Sequence, residues 1–202
     1  MSSTQYTNAW TLSKQGSIES LVYTEQRPIP ALKDDEVLVK IHAAALNYRD
    51  IMIAEGGVGL SLGKDDLVPG SDGAGTVEAV GSRTTTFKVG DNVCAHLTKG
   101  LAEDDTPVFG DISAGLGQTA DGTLSTHGIF HETSLVKMPS TLTFIEAATL
   151  TCSGLTAWNA LFGLADKAPK PGDTVVVQGT GGVSIAALQV RDYFQDLQEA
   201  VL

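Results

Sequence analysis

Gly179-Thr180-Gly181-Gly182-Val183-Ser184 lies between a β-branched run, Thr174-Val175-Val176-Val177-Gln178, and a stretch whose apolar residues recur at helical spacing. A short buried strand, a glycine turn and a helix, in that order, form a device for holding a pyrophosphate. Gly179 permits the tight turn, and Gly181 lets a phosphate approach the backbone. The amides of Thr180, Gly182 and Val183 and the positive end of the helix dipole face that charge. Ser184 replaces the last glycine of the usual pattern and is small enough for helix to pack on strand. No Gly-Lys-Ser/Thr follows, which argues against a nucleotide triphosphatase loop. The bland alternative is a glycine-rich turn that binds nothing. The acidic residue expected about 20 positions further on has one candidate by spacing, Glu199, read as a solvated residue of the helix.

Few other residues suggest chemistry by type and spacing. Cys94 and Cys152 are far apart and match neither a disulfide framework nor a metal knuckle, so a reducing, cytoplasmic setting is expected. His127 and His131 flank a turn and a strand entrance and read as structural or exposed. Thirteen Lys and Arg against 24 Asp and Glu leave a net charge of −11, with no basic patch. Nucleic acid and anionic membrane surfaces are therefore poor partners. The N-terminus has neither the apolar segment of a secretory leader nor the arginines of a transit peptide. The uncharged run Ala147 to Ala165 carries too many polar residues for a membrane span and reads as buried helical structure.

These groups need elements to position them, and the first 136 residues read mainly as strands and turns. Glu36 to Ala43 alternates apolar and polar residues, and further strands are expected in Gly75 to Val80 and Asp91 to His96. Turn chemistry bounds them at Pro69-Gly70, Gly73, Gly81-Ser82 and Val89-Gly90-Asp91. A polar stretch from Thr98 to Gly128 contains an acidic knot, Glu103-Asp104-Asp105, read as a solvated loop tip. After Pro139 the spacing predicts helices over Phe144 to Leu150 and Leu155 to Ala165. A last helix is expected from Ser184 onward on the stripe Ala186, Val190, Phe194, Leu197 and Val201. A chain of 202 residues with 22 glycines has room for one large domain, or one domain and part of another.

Several segments together resemble the medium-chain dehydrogenase/reductase family, in its zinc-independent, quinone-oxidoreductase-like branch. They are Ala45-Leu46-Asn47-Tyr48-Arg49-Asp50, Pro69 to Gly75, Phe87 to Val93, Cys152 to Trp158 and the glycine loop, in the family's order. The resemblance implies a mixed α+β and α/β architecture. A GroES-like β-barrel on the substrate side would cover residues 1–140. A helical connection and the first strand, glycine loop and helix of a partial Rossmann domain would cover 141–202. It also implies that Asn47 and Tyr48 line the substrate side, with Tyr48 donating to a carbonyl or enolate oxygen, and that Asp50 braces the local turn. Thr156 would lie near the nicotinamide ribose or carboxamide. Zinc-dependent relatives carry cysteine at the Asn47 position, His-Glu at Ser71-Asp72 and cysteine at Cys152. Only Cys152 matches, so no zinc is expected and Cys152 reads as a small buried residue.

The activity so implied is hydride transfer from NADPH or NADH, NADPH being favoured, to a quinone, an enone or another carbonyl compound. Alcohol dehydrogenase or enoyl reductase activity is the alternative within enzymes. A truncated, catalytically impaired member or an interaction remnant is the alternative outside them, because little chain follows Ser184. On that alternative, cofactor binding is expected to be weak or absent. The partner would be a small-molecule substrate, and homo-oligomerisation stays open.

Overall fold

The structure is a computed structural model that describes residues 5–56, 64–98, 108, 115–193 and 198–201. The acidic knot at Glu103 to Asp105 lies outside the described residues. The chain forms two compact units, Met1–Thr149 and Leu150–Leu202.

The first unit is antiparallel. Strands β1 (Tyr6–Leu12) and β2 (Leu21–Pro28) pair as a hairpin. Strands β3 (Glu36–Ala45), β4 (Asp72–Val80), β5 (Asn92–Ala95), β6 (His127–His131) and β7 (Leu135–Lys137) form a sheet in the order β6-β3-β4-β5-β7. Isolated bridges from Ala9 to Ser125 and from Leu12 to Leu67 fasten the hairpin to the chain around this sheet. Alternation along β3 sends Val37 and Val39 inward to join Val77, Phe87, Val93, Phe130 and Leu135 in the main core. A second cluster, Leu12, Ile53, Ala54 and Leu67, seats helix α1 (Tyr48–Ala54).

Helix α2 (Phe144–Ala147) starts at a capping box. The Thr143 Oγ1 accepts from the Glu146 amide at 3.3 Å, and the Glu146 carboxylate accepts from the Thr143 amide at 2.8 Å. Its Ala147 packs with Ala148, Ala74 and Cys94. Residues 141–149 fall within the first compact unit, where these small side chains let the helix lie on β3 and β4.

Strand β4 begins at Asp72, so Gly73, read as a turn signal, is a strand residue. The β3–β4 register slips between Ile41 and Ala43. The extra residue bends β3 at this point.

The second unit opens with a π-helical turn, Leu150–Gly154, followed by α3 (Leu155–Phe162), β8 (Thr174–Val177), α4 (Gly182–Tyr193) and β9 (Gln198–Val201). β8 and β9 pair in parallel with α4 as the crossover, a βαβ unit. Two expectations are corrected here. Helix α4 is described as far as Tyr193, Phe194 and Leu197 lie outside the described residues, and Val201 and Glu199 lie on a strand, paired with Val177 and Val175. Pairing with β8 satisfies the backbone of this end in a way that the apolar stripe could not reveal. The run from Ala147 to Ala165 is helical but not buried throughout, since Leu155, Trp158 and Leu164 are exposed. No helix among the described residues is long and apolar enough to cross a membrane.

Candidate active site

Asn47, Tyr48 and Asp50 come together because β3 runs directly into α1. Asn47 is extended at the N-cap, and Asp50, at the third helical position, accepts its backbone N–H at 2.7 Å. The Asn47 side chain donates through Nδ2 to the Asp72 carboxylate at 2.9 Å. Asp72 is 1% exposed and opens β4, and its carbonyl accepts from the Thr123 hydroxyl at 2.6 Å. Tyr48 points outward and is 76% exposed. One short turn thus presents a phenol to solvent from a base anchored to a buried carboxylate.

Arg49 and Gln118 were not anticipated by the sequence reading. The Arg49 guanidinium donates through Nη1 to Ser71 Oγ at 2.7 Å and to the Leu116 carbonyl at 2.9 Å, and through Nη2 to Gln118 Oε1 at 2.8 Å. Ser71 in turn donates to Asp50 Oδ1 at 3.4 Å. The signal was available in the arginine flanked by Tyr48 and Asp50. Its acceptors, however, lie 22, 67 and 69 residues away along the chain, beyond the reach of local pattern.

Burial raises the Asp50 carboxyl above the usual carboxylate range, against the opposing pull of the Asn47 amide, the Arg49 charge and the Ser71 hydroxyl. The ionised form is therefore disfavoured on folding. Asp50 costs stability in full above its folded pKa, and that cost is relieved as pH falls through it. Asp50→Ala should still destabilise the protein by about 1–2 kcal/mol, since it removes the acceptor of the half-buried Asn47 N–H. Urea denaturation of the two proteins at neutral pH checks this.

In the second unit, Ser184 Oγ donates back to the Gln178 carbonyl at 3.0 Å and closes the glycine loop. Gly179 has φ +73°, open to glycine at little cost. A Cβ on Gly179 or Gly181 would meet no heavy atom within 4 Å, whereas one on Gly182 would lie 2.7 Å from Ser153 Oγ. The loop is exposed, and the first-turn amides of α4, around Val183, open onto it. Thr156, on α3, is exposed. Cys152 is half-buried within the π-helical turn, not buried as expected, because that turn lies at the start of the second unit.

His127 and His131 terminate β6. His127 Nε2 lies 3.3 Å from Glu78, and His131 Nε2 lies 3.1 Å from Asp35.

An antiparallel β unit with a capped polar turn, followed by a βαβ unit with a glycine loop, is the fold of the alcohol dehydrogenase type. Residues 33–140 match the family described as the alcohol dehydrogenase GroES-like domain. A zinc-type alcohol dehydrogenase-like protein of Schizosaccharomyces pombe is 46% identical over 82% of the chain and 47% of its own length. The NADPH-dependent alkenal/one oxidoreductase of Arabidopsis thaliana, a chloroplastic protein, is 30% identical over 92% of the chain and 44% of its own length. The solved structure of a Pseudomonas syringae quinone oxidoreductase superposes with a TM-score of 0.77, at 26% identity, over 96% of the chain and 52% of that structure. The chain belongs to the medium-chain dehydrogenase/reductase family and spans about half the length of the curated relatives it matches.

Proposed function

We propose that this chain contributes the substrate side and the cofactor loop of a zinc-free, NADPH-dependent reductase acting on an enone, a quinone or a similar activated carbonyl compound. The observation that carries this reading is the exposed glycine loop at the start of α4, with open space where side chains at Gly179 and Gly181 would intrude. Residues Gly179 to Ser184 fit a pyrophosphate through their amides and the helix dipole. Thr156 would hold the nicotinamide end. Bound there, the reduced cofactor supplies a hydride to an electron-poor carbon.

The oxygen left with developing negative charge then needs a donor. Tyr48 is suited to this, since its hydroxyl is exposed and its backbone is fixed by the Asn47 cap. It donates a proton to that oxygen and recovers one from water. Asn47 holds the turn by its bond to Asp72, and Asp50 keeps the cap closed.

The donor set does not suit zinc. The Asn47 amide donates to Asp72, and Ser71 Oγ is occupied by a guanidinium, a fixed positive charge that a divalent cation would have to approach. Among the described residues, no three His, Cys, Asp or Glu side chains gather to hold a metal. The word zinc in the name of the Schizosaccharomyces relative applies to that protein. The name of the Arabidopsis relative supports NADPH and an enone. Neither Cys94 nor Cys152 forms a disulfide, which agrees with a cytoplasmic setting.

The test is calorimetric titration of the purified chain with NADPH and NADH, followed by reduction assays on a quinone and an α,β-unsaturated ketone. Tyr48→Phe should lower kcat about a hundredfold or more and leave cofactor affinity unchanged. Full activity in Tyr48→Phe would remove Tyr48 from the mechanism. Absence of saturable cofactor binding would favour a catalytically impaired remnant instead.

A further inference from the structure

Three segments of the first unit meet at one side chain. Arg49 of α1 bonds Ser71 at the entrance to β4 and both Leu116 and Gln118 of the chain returning toward β6. Its acceptors are enclosed: Ser71 is 0% exposed, Gln118 1% and Leu116 3%. The buried amide oxygen of Gln118 needs a donor, and the Arg49 guanidinium supplies it. The geometry also has a direction. Because Arg49 donates to Ser71 Oγ, the serine's own proton is left to point at Asp50, and the other Asp50 oxygen takes the Asn47 N–H. A hydrogen-bonded chain thus joins the guanidinium through Ser71 to Asp50, which accepts at its other oxygen from the Asn47 backbone beside Tyr48.

We propose that Arg49 is a positioning residue for the reaction: it aligns the Asn47–Tyr48 turn by fixing the Ser71–Asp50 relay against the Leu116–Gln118 segment. This rests on the reading of that turn as the substrate side. Arg49 does not touch the substrate. A planar fork with several donors can hold three acceptors at once, while an ammonium of similar charge cannot match them. Charge alone is therefore insufficient, and the shape of the guanidinium carries the function. Displacing the phenol of Tyr48 by about an ångström would slow the reaction about a hundredfold without changing how the cofactor is held.

The experiment compares the wild-type chain with Arg49→Lys and Arg49→Ala in two measurements. In the first, NADPH-dependent enone reduction, both variants should lose about a hundredfold in kcat with the KM for NADPH unchanged. Sub-denaturing guanidinium should restore much of the Arg49→Ala rate, whereas ammonium should not. A KM effect alone, or equal rescue by both cations, overturns the proposal. In the second, amide hydrogen exchange is followed at Asn47 and Tyr48. Exchange at Asn47 should accelerate in both variants and slow again with guanidinium, while amides of β4 and β5 keep their protection. Unchanged Asn47 exchange overturns the proposal even if the wild-type chain reduces no enone. In that case the functional reading fails separately. Global loss of protection in both variants would show a merely structural arginine, and would also overturn it.

Discussion

Gly181→Val should abolish NADPH binding while leaving the stability of the chain within about 0.5 kcal/mol of wild type. Two observations combine in that expectation. A Cβ at Gly181 meets no heavy atom within 4 Å, so the added side chain projects into open space instead of a packed neighbour. The backbone at Gly181 is not in the left-handed region, unlike Gly179 with φ +73°, so valine introduces no dihedral strain of that kind. On the proposed reading, the open space is the volume that a pyrophosphate would occupy to reach the loop amides. Calorimetric titration and thermal melting of the same preparations separate the two effects. Binding by Gly181→Val at wild-type affinity would show that the loop is a connector. Gly182→Val is the instructive contrast. Its Cβ would press on Ser153 Oγ at 2.7 Å, so it should lower the melting temperature as well.

The glycine loop could be read from the chain because its meaning is local: a β-branched run, a turn and an amphipathic start lie within some twenty residues. The same is true of the β3 alternation, where inward Val37 and Val39 reach the core as period two requires. What failed was everything decided at a distance. The stripe from Ala186 to Val201 had helical spacing, yet its last member pairs in a parallel strand with Val177. Strand pairing across a crossover leaves no mark in a helical window. Gly73 was read as punctuation for the same reason, since only the approach of Thr123, 2.9 Å from where its Cβ would stand, reveals a glycine chosen for contact. Asn47, Tyr48 and Asp50 were available as a candidate group through the family motif. The bond from Asn47 to Asp72 and the three acceptors of Arg49 were not, because they join segments far apart in sequence.

Gly75→Ala should cost roughly 3 kcal/mol or more, a large share of the roughly 5–15 kcal/mol that holds a typical domain together. Gly75 lies on β4, opposite Ile41 on β3 and Val93 on β5, and beside the register slip that follows Ile41. Here the bent β3 comes so close that a Cβ would overlap the Lys40 carbonyl oxygen, with Val39 Cγ1 only 2.7 Å away. Backbone held on both sides by ladder bonds cannot retreat as a flexible side chain can, so the whole β3–β4 pair must part. Asp72 lies at the start of the same strand and accepts the Asn47 side chain, so the disturbance also reaches the turn that presents Tyr48. Gly90→Ala is the control: it has φ +92° and nothing within 4 Å of its Cβ, so it should lose only about 1–2 kcal/mol of left-handed strain. Urea denaturation of both variants measures the difference. Equal losses would mean that conformational strain, not close approach of strands, governs glycine use here, and the constraint on β4 would have to be sought outside the β3 bulge.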